Sequence, residues 1–172
     1  LDLGDNDLSS IIMFGTEEVD LTADASVAVE VTRLAARVEI ADIENAMELE
    51  QYRNQEMKIT GIYLINVAGN RQIEGNGAPT VWYNKLAKST DCQSLLRDDL
   101  NQVVANGATF AASRHFYCYP NSASDVEGGP WSPRCTRLVV ELTLGGQTWY
   151  YPVTIPTVEA NKKYIISSMK IT

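Results

Sequence analysis

Between Val27 and Ile40 the apolar positions change parity. Val27, Val29 and Val31 are odd, with Glu30 between them; Leu34, Ala36, Val38 and Ile40 are even, with Arg37 and Glu39 between. Successive side chains of a strand point to opposite faces, so a change of parity is a change of face. At ~3.3 Å per residue an unbroken strand here would span roughly 45 Å, against about 17–20 Å for a common strand. Two strand segments are therefore predicted, with a bulge, bend or sheet crossing near Thr32-Arg33.

Other stretches are equally strand-like. Ile11–Gly15 is a short apolar burst, Val19–Thr22 alternates, and both predict short strands after an acidic, ragged start over 1–10. Glu44–Glu56 is polar with weak periodicity and reads as a connection with at most a helical turn. Met57–Val67 is a strong strand: Ile59, Gly61, Tyr63, Ile65 and Val67 share one parity, and Ile62 and Leu64 lie on the other. The spacing predicts one amphipathic helix. Thr90 would cap it and Gln93 complete a capping box; Cys92, Leu96, Leu100 and Val103 or Val104 recur at three and four residues, and Asn106-Gly107 would stop it. His115–Tyr119 is an aromatic strand before a turn-rich loop over Asn121–Pro133.

The clearest local prediction is a hairpin. Leu138, Val140, Leu142 and Leu144 alternate, Gly145-Gly146 follows, and Trp149, Tyr151, Val153 and Ile155 alternate in turn. A two-residue Gly-Gly loop suits a primed turn. It pairs Leu144 with Gln147, Leu142 with Trp149, Val140 with Tyr151 and Leu138 with Val153. Tyr164–Ile171 is the last strand. Many short strands, frequent turns and one short amphipathic helix predict a mainly β fold, a Greek-key β-sandwich over 27–172 preceded by a lead-in with short strands over 1–26.

Composition narrows the function. The 172 residues are 45% hydrophobic, enough for a sizeable core, and the net charge of −8 disfavours nucleic acid and anionic membranes as partners. No basic run reverses that balance locally, and no apolar run is long enough for a membrane span. The chain opens Leu1-Asp2-Leu3 with no starting Met and no signal-peptide pattern, so a processed or trimmed piece of a longer protein is expected. Cys92, Cys118 and Cys135 match no zinc or redox motif. Two readings stand: buried free thiols, or a Cys118–Cys135 disulfide in an oxidising compartment.

Candidate chemistry is sparse. The single histidine, His115, has no adjacent carboxylate and reads as a packed or rim residue. No nucleophile elbow, phosphate loop, dinucleotide fingerprint or His-Glu-x-x-His occurs. Asp2-Asp5-Asp7 and Asp98-Asp99 lack a calcium-loop pattern and read as solvated surface. No enzyme, metal or cofactor is expected. Trp82, Tyr83 and Trp131 are the candidate stacking residues of an alternative reading, a surface glycan- or ligand-binding module, although a Trp131 folded back onto the rim is the ordinary reading.

Val31-Thr32-Arg33-Leu34-Ala35-Ala36-Arg37-Val38-Glu39-Ile40 adds a further signal when taken with the C-terminal blocks Thr136–Glu141, Thr148–Pro156 and Asn161–Ile166. The combination resembles the fimbrillin family, the secreted pilus subunits of Gram-negative anaerobes, and is most similar to its second domain. The resemblance implies a transthyretin-like β-sandwich and lipoprotein export to the outer membrane. It also implies a structural role in a fimbrium or cell-surface adhesin, whose partners are other pilus subunits joined by strand addition and host or bacterial surface ligands. A first strand released after an arginine would place the processing junction at Arg33 or Arg37. The alternative is that both are solvent-facing strand residues where the chain changes sheets.

Overall fold

The computed structural model describes residues 1–6, 9–20, 22, 24, 26–75, 77–85, 92–125 and 132–172. Its strands are β1 (Met13–Phe14), β2 (Thr32–Arg33), β3 (Ala36–Asn45), β4 (Met57–Ile65), β5 (Val67–Ala68), β6 (Trp82–Tyr83), β7 (Arg97–Val104), β8 (Thr109–Cys118), β9 (Thr136–Leu144), β10 (Gln147–Ile155) and β11 (Lys163–Ile171). Two sheets form a β-sandwich, one ordered β10-β9-β4-β7 and the other β11-β3-β8. Within them β3 and β11 run parallel and every other pair is antiparallel. Val38, Ile40 and Ile43 of β3 meet Met57, Ile59, Ile62 and Leu64 of β4 and Leu138, Val140 and Leu142 of β9 in one core.

The parity break at 32–33 is real, but its two halves differ in kind. Only Thr32 and Arg33 pair, with Phe14 and Met13; Leu34-Ala35 bends, and β3 begins at Ala36. Residues 26–31 form no strand, and Val27, Val29 and Val31 are exposed. Alternation produces a strand only where a neighbouring backbone accepts its ladder, and among the described residues none does so here.

Two further parity changes occur inside strands, both at bulges. Between Ile59 and Gly61 the register of β4 shifts against β9 and β7 alike. Met57 and Ile59 before the shift, and Ile62 and Leu64 after it, share the main core. Tyr63 and Ile65 turn outward into a second cluster with Val139, so the single parity expected for Ile59 to Ile65 does not hold. Between Ile40 and Asp42 β3 shifts against β8, and Ser113 takes φ 48° opposite the break.

The predicted hairpin forms in the predicted register, Leu144 opposite Gln147 through Leu138 opposite Val153. Gly145 and Gly146 have φ 60° and 72°, the left-handed values a primed turn requires.

The amphipathic helix expected from Thr90 to Val104 is not where the spacing placed it. Thr90 lies outside the described residues; Ser94–Leu96 is a 3-10 turn and Arg97–Val104 is β7. Leu96, Leu100 and Val104 recur every fourth residue, which satisfies a strand face and a helix stripe equally. Val103, which favoured the helix, is exposed. Asn106-Gly107 is instead the turn from β7 to β8, with the Gly107 N–H donating to Asn45 O at 2.7 Å. The short helix is α1 (Glu50–Arg53), within the stretch read as a connection with a helical turn.

The start of the chain is not ragged. Leu3 is buried in the main core and its N–H donates to Gly69 O at 2.7 Å, while Arg71 N–H donates to Leu1 O at 3.0 Å. Ile11, Ile12 and Phe14 pack against the same core. Isolated apolar residues in acidic sequence have no period, so only the fold shows their partners. Of the alternating stretch Val19–Thr22, the described residues 19, 20 and 22 form no strand.

Candidate functional site

Each sheet ends in two edge strands, whose outward N–H and C=O groups can receive a further strand. Three of these four edges are interrupted. On β10 the Gly-Gly turn makes Leu144–Gln147 a hydrogen-bonded pair, and bonded pairs alternate along an antiparallel ladder. Pro152, opposite Val139, therefore falls at a position whose backbone nitrogen faces away from β9. It removes a donor from the open edge without costing the ladder one. On β7 the bulge opposite Thr60, and on β8 the bulge at Ser113, break the edge geometry. Strand β11 has neither proline nor bulge, and it pairs with β3 in one register from Lys163 to Ile171.

Arg33 and Arg37 lie on either side of the Leu34-Ala35 bend. Arg33 is exposed on the two-residue β2. Arg37 sits in the central strand of its sheet, opposite Tyr117 of β8 and Lys163 of β11, and its N–H donates to Lys162 O at 2.9 Å. Asn161, at φ 57°, donates its N–H to Ala35 O and ties the β10–β11 turn to the same bend. Arg33, Ala35, Arg37, Tyr117, Asn161, Lys162 and Lys163 thereby line an open cleft of about 240 Å³. Glu39, two residues along on the same face, pairs with Arg37 at 2.8 Å and Lys163 at 3.0 Å. The Lys163 ammonium, with Arg37 beside it, holds the Glu39 carboxyl below the usual range. No sequence run of basic residues announces this cleft; parallel pairing of β3 with β11 assembles it.

Of the aromatic candidates, Trp82 and Tyr83 form β6. Both are half-buried and pack against the core, and Tyr83 O–H donates to Asp2 Oδ1 at 2.7 Å. Trp131 lies outside the described residues. His115 meets Tyr117 edge-on, ring centroids 5.8 Å apart, and faces Glu39 across the β3–β8 ladder.

Cys118 and Cys135, the pair considered for a disulfide from the sequence, are both buried, with no bond between their thiols. Cys118 is fully buried, which pushes its thiol up to about 12. Cys135 Sγ contacts Ala123 O at 3.2 Å.

One polar cluster gave no sequence signal. Arg97 of β7 lies with its guanidinium 4.9 Å from the Tyr63 ring centroid, bonds Asp99 at 2.6 Å, and reaches the buried Glu141 at 3.4 Å. Thr60 Oγ1 donates to the same carboxylate at 2.8 Å. Every member is on an outward face of the four-stranded sheet at the Thr60-Gly61 bulge, so the cluster braces that irregularity.

No protein-family model matches the chain, and no curated protein matches it significantly in sequence. Solved structures do. A candidate cell adhesion protein of Bacteroides eggerthii superposes with TM-score 0.67 at 17% identity, covering 94% of this chain and 54% of its own. A candidate cell adhesion protein of Parabacteroides distasonis gives TM-score 0.53 at 16% identity, covering 80% of this chain and 45% of its own. The chain thus spans about half the length of each, and at these identities the likeness is one of fold.

Proposed function

We propose that this chain is a non-catalytic β-sandwich domain of a fimbrillin-like cell-surface adhesion subunit, assembling by strand addition in the full-length protein. The observation that carries this reading is the fold match across 94% of the chain to a candidate cell adhesion protein of roughly twice the length. The strand order β8-β3-β11 facing β7-β4-β9-β10 supports a transthyretin-like sandwich. The uninterrupted β11 supports strand addition, because a nine-residue edge offers a continuous ladder to an incoming strand.

The reading places the processing junction at Arg33 rather than Arg37. Cutting requires an extended, accessible backbone. Arg33 is held by a two-residue ladder, whereas Arg37 is flanked on both sides by paired strands. Mild digestion of the full-length protein with an arginine-specific protease should cut after Arg33 and spare Arg37. Filaments or exchanged strands should then be visible by electron microscopy of the digest. A full-length protein that forms neither, and is not found at the cell surface, overturns the reading.

A further inference from the structure

We propose that the cleft at the head of β3 is a binding site for an anionic sugar unit, one carrying a carboxylate or a sulfate. It concerns the uncleaved chain, in which Arg33 still lines the cleft; cutting after Arg33 would release that residue with the upstream segment.

Four cations line it: Arg33, Arg37, Lys162 and Lys163. One carboxylate, Glu39, answers two of them, Arg37 and Lys163. Arg33 and Lys162 have no carboxylate within ion-pair reach among the described residues, and both side chains are exposed. The cleft therefore carries a local excess of three positive charges on a chain whose net charge is −8. An anion repelled by the rest of the surface is drawn to this point. An arginine fork is shaped for the paired oxygens of a carboxylate or sulfate.

Size and walls narrow the occupant. About 240 Å³ is below the usual range for a drug-sized ligand, ~300–1,000 Å³, and suits one ring with its charged group. Tyr117, held edge-on by His115, supplies an aromatic wall. The floor is β3, with both edges occupied by β8 and β11, so it offers no free backbone ladder to an extended acidic peptide.

Isothermal titration of the folded chain at low salt tests this, with trigalacturonic acid, galactose 6-sulfate, neutral galactotriose and hexaglutamate as probes. One or both charged sugars should bind, which of them does distinguishes carboxylate from sulfate, and galactotriose should not. The R33Q/K162Q variant, altered only at exposed positions, should bind the charged sugar at least tenfold more weakly. E39Q, which removes the competing carboxylate, should bind it severalfold more tightly, and K58Q on the other sheet should bind as the parent does. Circular dichroism confirms that each variant is folded. Three results overturn the proposal: no binding of either charged sugar, unchanged binding in R33Q/K162Q, or hexaglutamate binding as tightly as the sugars.

Discussion

The Arg97 guanidinium lies directly over Gly61, where a Cβ would stand 2.5 Å from Nη2. Glycine at the bulge of β4 is therefore what lets Arg97 reach both the Tyr63 ring and Glu141. The contact is between a side chain and a missing one.

Gly61→Ala should displace Arg97 and destabilise the domain by ~1–3 kcal/mol, chiefly by loosening its contact with the buried Glu141, since the atoms a Cβ would meet are the tip of a flexible side chain. Glu141→Gln should cost a similar ~1–3 kcal/mol, below the full loss for a broken buried pair, because exposed Asp99 still holds Arg97. The two act on one arginine, so the double variant should lose less than the sum of the singles. Urea unfolding of all three variants measures the cycle, and strict additivity would show that the guanidinium does not couple them.

Pro152→Thr should leave the β9–β10 ladder intact and restore an outward donor to the β10 edge. Edge strands without such interruption pair with one another. The expected outcome is concentration-dependent self-association in sedimentation velocity, with little change in the unfolding midpoint. A variant as monomeric as its parent would mean that the β10 edge is guarded by something other than this proline.

Thiol reactivity should follow burial. Cys118 is fully enclosed and its thiol is pushed up to about 12, so almost none is thiolate at pH 8. Ellman's reagent should reach Cys92 first and label Cys118 only as fast as the domain opens. Rapid labelling of Cys118 in the folded protein would mean that the β8 end of the core opens locally.

Glu39 sets an acid dependence whose sign is fixed by its partners. Lys163 and Arg37 depress its folded-state value below 4.5. Its contribution to stability is therefore complete above the unfolded-state value and is lost as pH falls through the folded one. Parent protein should lose stability below about pH 4.5, where carboxylates ordinarily titrate, and E39Q should lose less over the same interval. Thermal midpoints between pH 3 and 6 provide the comparison, and superimposable curves would remove Glu39 from the account.

What was legible in the chain was local. The β9–β10 register could be read directly because a two-residue glycine turn fixes which residues face each other, and alternation on both sides agrees with it. The break at Thr32-Arg33 was legible because parity is a property of neighbours. Residues 97–104 misled because a spacing of four satisfies strand and helix alike, and the choice fell to β4, which offered that segment a ladder.

The rest required the tertiary structure. Leu3 belongs to the core through a backbone bond to Gly69, which no period predicts. The bulges that turn Tyr63 and Ile65 outward are set by pairing with strands on both sides. The basic cleft needs Arg37 beside Lys163, residues far apart in sequence that only the parallel pairing of β3 with β11 makes neighbours. Periodicity reports which residues want to be inside. It carries no information about which distant backbone will supply the hydrogen bonds, and that choice decides where charges meet.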